Sequence, residues 1–140
     1  MAILTATTTP GYELPDVACQ FTLAHFQRGT GPNIHTDAEA ARREGLAEPV
    51  ATGPQVAALI FRQLRDAFGR GWVEGGRCDL TLRKPVRVTD FCVARGVVTR
   101  AEPEGDGVRL HCDVWIENQM GDQVIAGTAS GVVPRVVPRV

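Results

Sequence analysis

Lysine is nearly missing from this chain: of the 15 basic residues among its 140, Lys84 is the one lysine and the other 14 are arginines. With 16 acidic residues the formal net charge is -1, so no basic excess draws the protein to nucleic acid or to an anionic membrane surface. No segment approaches the ~18 uninterrupted apolar residues of a membrane span, and no membrane partner is expected. The opening MAILTATTTPGYELPD has no basic stretch followed by an apolar one, so it does not read as a secretory signal. Cysteines are few and scattered. Cys19, Cys78, Cys92 and Cys112 form no CxxC pair, which argues against a disulfide framework or a zinc site and for free thiols in a reducing cytoplasm. Histidine is limited to His25, His35 and His111. With no glycine-rich phosphate loop and no metal-ligand spacing, neither a cofactor nor a metal is expected.

What remains is the composition of a globular domain. Hydrophobic residues are 44% and charged residues 22%, and the length suffices for one core but not two. One domain over residues 1–133 is expected, with the proline-bearing tail PRVVPRV (134–140) trailing from it. Residues 1–36 are irregular and rich in Thr, Pro and Gly, with a strand-like patch at Ala18–Ala24. Thr36-Asp37-Ala38-Glu39 has the pattern of a capping box and predicts a short helix over Asp37–Glu44, stopped by Gly45. Pro54 then suits the first turn of a second helix reaching Phe68. Its first half, Val56–Phe61, is apolar all round and predicts burial on every side. Gly69 and Gly71 end it.

Beyond residue 76 the period changes to two. Cys78, Leu80 and Leu82 alternate with polar residues, and so do Val108, Leu110, Cys112, Val114 and Ile116. Valine-rich Phe91–Ala101 and Val124–Val133 complete four predicted strands, joined by turns at 104–107 and 118–122. One buried helix followed by antiparallel strands in meander order predicts an α+β architecture, a curved sheet wrapped around a central helix. Cys78, Cys92 and Cys112 fall on core positions with no neighbouring base, which argues against a thiol nucleophile. His111, Asp113 and Trp115 fall on a polar strand face, read as surface or subunit contact. Arg77, Arg83, Lys84 and Arg87 are read as solvated, with coenzyme phosphates as the alternative.

The segment most informative about chemistry is Gly29-Thr30-Gly31-Pro32-Asn33-Ile34-His35-Thr36-Asp37, a tight loop that delivers a histidine just before a helix cap. Downstream, Pro49-Val50-Ala51-Thr52-Gly53 puts a glycine at the N-terminus of the long helix. Free backbone N–H groups and the positive end of the helix dipole suit an oxyanion there. A histidine nearby suits a general base, although a loop histidine and a pre-helix glycine also fit purely structural roles.

The run Asn33–Asp37, with Ala41, Gly45-Leu46, Pro49-Val50-Ala51 and Gly53, resembles the hydratase motif of MaoC-like hot-dog proteins, and the resemblance extends along nearly the whole chain. It implies a hot-dog fold and a hydro-lyase that adds water to a 2-enoyl thioester or removes it from a 3-hydroxyacyl thioester carried by coenzyme A or an acyl carrier protein. It implies His35 as general acid/base and the Gly53 N–H as donor to the thioester oxygen. Thr30 stands where the family has its catalytic aspartate, and Pro32-Asn33 reverses the family's N-P pair. Thr30 and Asn33 are left as orienters of water. Asp37, read chiefly as a cap, and Ala51, Thr52 and Pro54 complete the substrate-binding set. The family's pocket lies between two hot-dog units, so a homodimer or a heteromer with another hot-dog subunit is implied. The missing aspartate keeps two alternatives open: a non-catalytic or half-site subunit, and a divergent reaction such as a cyclisation or dehydration in natural-product biosynthesis, or thioester hydrolysis. For hydrolysis the helix offers only Asp66.

Overall fold

In chain order, the computed structural model, which describes residues 2–26 and 31–135, runs β1 (Val17–Gln20), α1 (Leu23–Phe26), α2 (Ala38–Arg43), α3 (Gly53–Phe68), α4 (Arg70–Gly75), β2 (Arg77–Leu82), β3 (Phe91–Glu104), β4 (Gly107–Glu117) and β5 (Gln123–Pro134). The strands form one antiparallel sheet in the order β1-β3-β4-β5-β2. It packs on α3, whose Ile60, Leu64, Ala67 and Phe68 meet Ala94, Val98, Leu110, Cys112, Val114 and Ile116 in the core. The expected α+β sheet around a helix is what the chain forms. No helix among the described residues is long and apolar enough to cross a membrane.

Several elements differ from the sequence reading, each for a local reason. β3, β4 and β5 form the expected meander, but β2 pairs with β5, not β3. The chain leaves β2 through Arg83 and Lys84, whose N–H groups both reach Val124 O, and crosses the loop before α3, where Ala51 N–H donates to Val86 O at 2.8 Å. The patch at Ala18–Ala24 is only half strand. β1 closes at Gln20, whose side-chain amide donates to the Phe21, Thr89 and Asp90 carbonyls, and α1 follows as a single turn. α2 is capped by Asp37, whose carboxylate accepts from Ala40 N–H at 2.9 Å, and not by Thr36. Thr36 Oγ1 instead accepts from Asn33 N–H.

α3 is not buried all round. Val56, Ala57 and Ile60 are buried, whereas Ala58 is exposed and Phe61 is 40% exposed. A single sheet covers one side of a helix, and the stripe Ala58-Phe61-Arg65 lies on the other. β2 shows the same incompleteness: Cys78, expected in the core, is exposed, and Leu82 is 58% exposed. Both project from an edge strand. Cys92 and Cys112 do sit in the core, where burial pushes both thiols up to about 12 and keeps them protonated. Pro134 is the last residue of β5, and 136–140 lie outside the described residues.

α4 is an element the sequence reading does not contain. It follows a glycine turn, Gly69 having φ +60°, and presses Gly71 so close to β5 that a Cβ would collide with the Val132 carbonyl. Its far end is held by Arg109, 3% exposed. The Arg109 guanidinium donates to Gly75 O (3.0 Å), Ser130 Oγ (2.9 Å) and both oxygens of Glu104 (2.9 and 2.7 Å). These bonds hold the Glu104 carboxyl below the usual carboxylate range. A carboxylate whose folded pKa is depressed contributes stability above its unfolded value, and that contribution disappears as pH falls through the lower folded value. Glu104→Gln is therefore expected to lower the melting temperature at neutral pH. It should also flatten its decline on acidification below about pH 4.3, which circular dichroism melts from pH 7 to pH 3 will read.

Candidate active site

The loop before α3 is stitched between two others. Val50 N–H donates to Ile34 O (3.1 Å), Ala51 N–H to Val86 O, and Val88 N–H to Pro49 O (3.1 Å). This brings the His35 turn against the start of α3. His35 is half-buried, and its Nδ1 lies 2.8 Å from Val50 O. A carbonyl oxygen can only accept, so Nδ1 carries a proton, and in the neutral form of the ring the lone pair is on Nε2. Asn33 fixes the backbone of the same turn: its Oδ1 accepts from His35 N–H at 2.8 Å. Asn33 is thus engaged with the histidine's own peptide. Among the described residues no carboxylate is hydrogen-bonded to His35. Thr30 lies outside the described residues.

Three residues after Val50, α3 begins. Thr52 is its N-cap, and its hydroxyl and Gln55 form a reciprocal capping box: Gln55 N–H donates to Thr52 Oγ1 (3.3 Å) and Thr52 N–H to Gln55 Oε1 (2.9 Å). The sequence pattern Thr-x-x-Gln carried this signal, and the sequence reading missed it. Thr52 is therefore occupied as a cap, Asp37 as the cap of α2, and Pro54 is exposed in the first turn. Ala51 is buried and contributes backbone only. Gly53 is the first helical residue, where an N–H has no intrahelical acceptor, and no acceptor for it is found among the described residues. The helix dipole adds positive potential at that point.

One neighbour was invisible in the sequence. Leu82 of β2 lies against Gly53: a Cβ on residue 53 would come within 2.5 Å of Leu82 Cδ2. The contact is with the far end of the Leu82 side chain, which lies over the start of α3. Leu82 is 58% exposed and can turn aside, so Gly53→Ala is expected to change stability by no more than about 0.5 kcal/mol, measurable by urea denaturation.

The other candidates resolve into structural pairings. His25 Nδ1 accepts from Thr22 N–H (3.1 Å). His111 Nε2 is 2.6 Å from Glu102 Oε1, a hydrogen bond that lowers the Glu102 pKa. Lys84 pairs with Asp122 at 3.4 Å, and Arg87 with Glu48 and Asp90. Asp66 is paired loosely with Arg62 and Arg65, both at 3.9 Å.

The fold is the hot-dog fold of MaoC-like dehydratases and (R)-hydratases. The chain is similar to the unliganded R-hydratase PhaJ1 of Pseudomonas aeruginosa, with TM-score 0.77 and 20% identity over 99% of this chain and 96% of that one. It is also similar to a MaoC-like dehydratase from Rhodospirillum rubrum (TM-score 0.76, 23% identity, 94% and 96% covered). A third likeness is to the C-terminally truncated HadBC complex of Mycobacterium tuberculosis, a 3R-hydroxyacyl-ACP dehydratase (TM-score 0.67, 19% identity, 91% and 98% covered). No protein-family model and no curated protein matches the sequence.

Proposed function

We infer that the chain is a hydro-lyase for acyl thioesters, interconverting 2-enoyl and 3-hydroxyacyl forms. The observation that carries this reading is the Nδ1–Val50 O bond, which in the neutral ring leaves the lone pair on Nε2, available as a base beside a helix N-terminus whose Gly53 N–H has no acceptor among the described residues. In hydration, Nε2 takes a proton from water as its oxygen bonds to C3 of the enoyl group. The displaced electron pair moves toward the thioester oxygen, which the Gly53 N–H and the helix dipole stabilise. The imidazolium then returns a proton to C2. Asn33 acts by holding His35, its amide being spent on the His35 N–H and the Gly31 carbonyl, and the water is left to Thr30. Asp37 and Thr52 serve the site as caps, with Ala51 and Pro54 at its border. The carrier of the acyl group is coenzyme A or an acyl carrier protein. The four unpaired cysteines fit a reducing cytoplasm. The part of the α3 stripe left exposed beside Trp72 and the β2 edge fit a second hot-dog subunit, either another copy or a partner.

The test is hydration of a short 2-enoyl-coenzyme A followed by loss of enoyl absorbance. Measurable turnover by the purified protein is the expected result, and its absence with both coenzyme A and carrier-protein substrates would remove the reading for the chain alone. The missing carboxylate bonded to His35 favours one second reading, a subunit that turns over only with a partner. Activity that appears on adding a co-purifying hot-dog protein would favour it.

A further inference from the structure

Gln55 does more than cap a helix. Its Oε1 accepts from Thr52 N–H (2.9 Å) and from the Thr52 hydroxyl (3.1 Å), which accounts for the capping box. Its Nε2 points elsewhere and donates at 2.7 Å to His25 O, thirty residues earlier in the chain. His25 belongs to α1, the element that leads in sequence to residues 27–30 and then to the Asn33–Asp37 turn. One half-buried amide therefore ties the end of α3 that presents Gly53 to α1, the element that precedes the His35 turn in the chain. We propose that Gln55 is a positioning residue for the candidate active site, setting the approach of the histidine-bearing segment to the Gly53 N–H. The proposal rests on the hydro-lyase reading for its catalytic consequence, while the cross-link itself stands on the geometry.

The two halves of the amide are chemically separable. Glutamate at the third helical position keeps the acceptor side of a capping box and is favoured by the helix dipole. An ionised carboxylate has no proton to donate, so its second oxygen loses the bond to His25 O and faces that carbonyl repulsively. Gln55→Glu thus preserves the cap and cuts the cross-link. In the full chain its expected signature is threefold. Amide hydrogen exchange accelerates in peptides covering residues 22–37. Exchange in the first turn of α3 stays at the wild-type rate. The kcat for enoyl-thioester hydration falls about 10- to 100-fold with KM little changed, as a small misplacement of reacting groups would produce. A variant with wild-type exchange in residues 22–37 would overturn the proposal. So would one in which α3 loses its protection as well, because Gln55 would then act only as a cap. If the wild-type protein shows no hydratase activity, the hydro-lyase reading fails, and the exchange experiment still decides the cross-link.

Discussion

His35→Ala is expected to lower kcat for enoyl-thioester hydration by about 10²- to 10⁴-fold, the span associated with loss of a positioned general acid/base. The fall belongs in kcat, because one imidazole nitrogen is spent on Val50 O and, in the proposed reaction, the other handles the reacting water and not the substrate's binding. Stability should change by about 1 kcal/mol, the worth of one hydrogen bond in a half-buried turn. Circular dichroism melts alongside the kinetics separate the two effects. Asn33→Ala, which removes the acceptor of His35 N–H, should give a smaller fall of the same kind. Undiminished turnover in His35→Ala would take the histidine out of the mechanism and leave the Gly53 N–H as an unemployed helix terminus.

The largest loss of stability is expected from Leu64→Ala. Leu64 is fully buried among the core side chains of α3 and the sheet, so truncation removes apolar burial and leaves a cavity. The expected cost is about 2–5 kcal/mol, seen as a fall in melting temperature of about 10 °C or more. Phe61, one turn earlier and 40% exposed, sets the contrast. In a lone chain Phe61→Ala should cost about 0.5–1.5 kcal/mol, the worth of its stacking on Trp72 of α4, whose ring centroid lies 6.4 Å away. If another subunit covers the α3 stripe, Phe61→Ala will cost more, and its melting temperature will depend on protein concentration. Melts of both variants over a hundredfold dilution read the core and the stripe independently.

The parts of the molecule that the sequence announced are those governed by local chemistry. Pro54 and the apolar block after it marked α3, alternation marked β4, and valine richness marked much of β3 and β5. Strand partnership is not local. The alternation of Cys78, Leu80 and Leu82 says that one face turns inward, not which strand will lie beside it, nor whether anything covers that face. Cys78 therefore read as core although it emerges on an open edge. α4 escaped notice because its glycines look like breakers. Gly71 is there for contact with the β5 backbone, which only the assembled sheet reveals. At the candidate site, His35 and Gly53 were singled out through their residue types, their spacing and the motif they resemble. Val50 O, Gln55 and Leu82 were not: the first is backbone, the second was hidden in an unnoticed capping pattern, and the third arrives from across the fold.

The order of strands also has a meaning for a chain made from its N-terminus onward. β2 is synthesised before the strand it will pair with, and β3, β4 and their turns must follow before β5 can receive it. Until then it waits as an orphan segment carrying Leu80 and Leu82. Its brevity and the interleaved Arg77, Asp79 and Arg83 act as gatekeepers that keep the waiting segment from pairing with its counterpart on a neighbouring nascent chain.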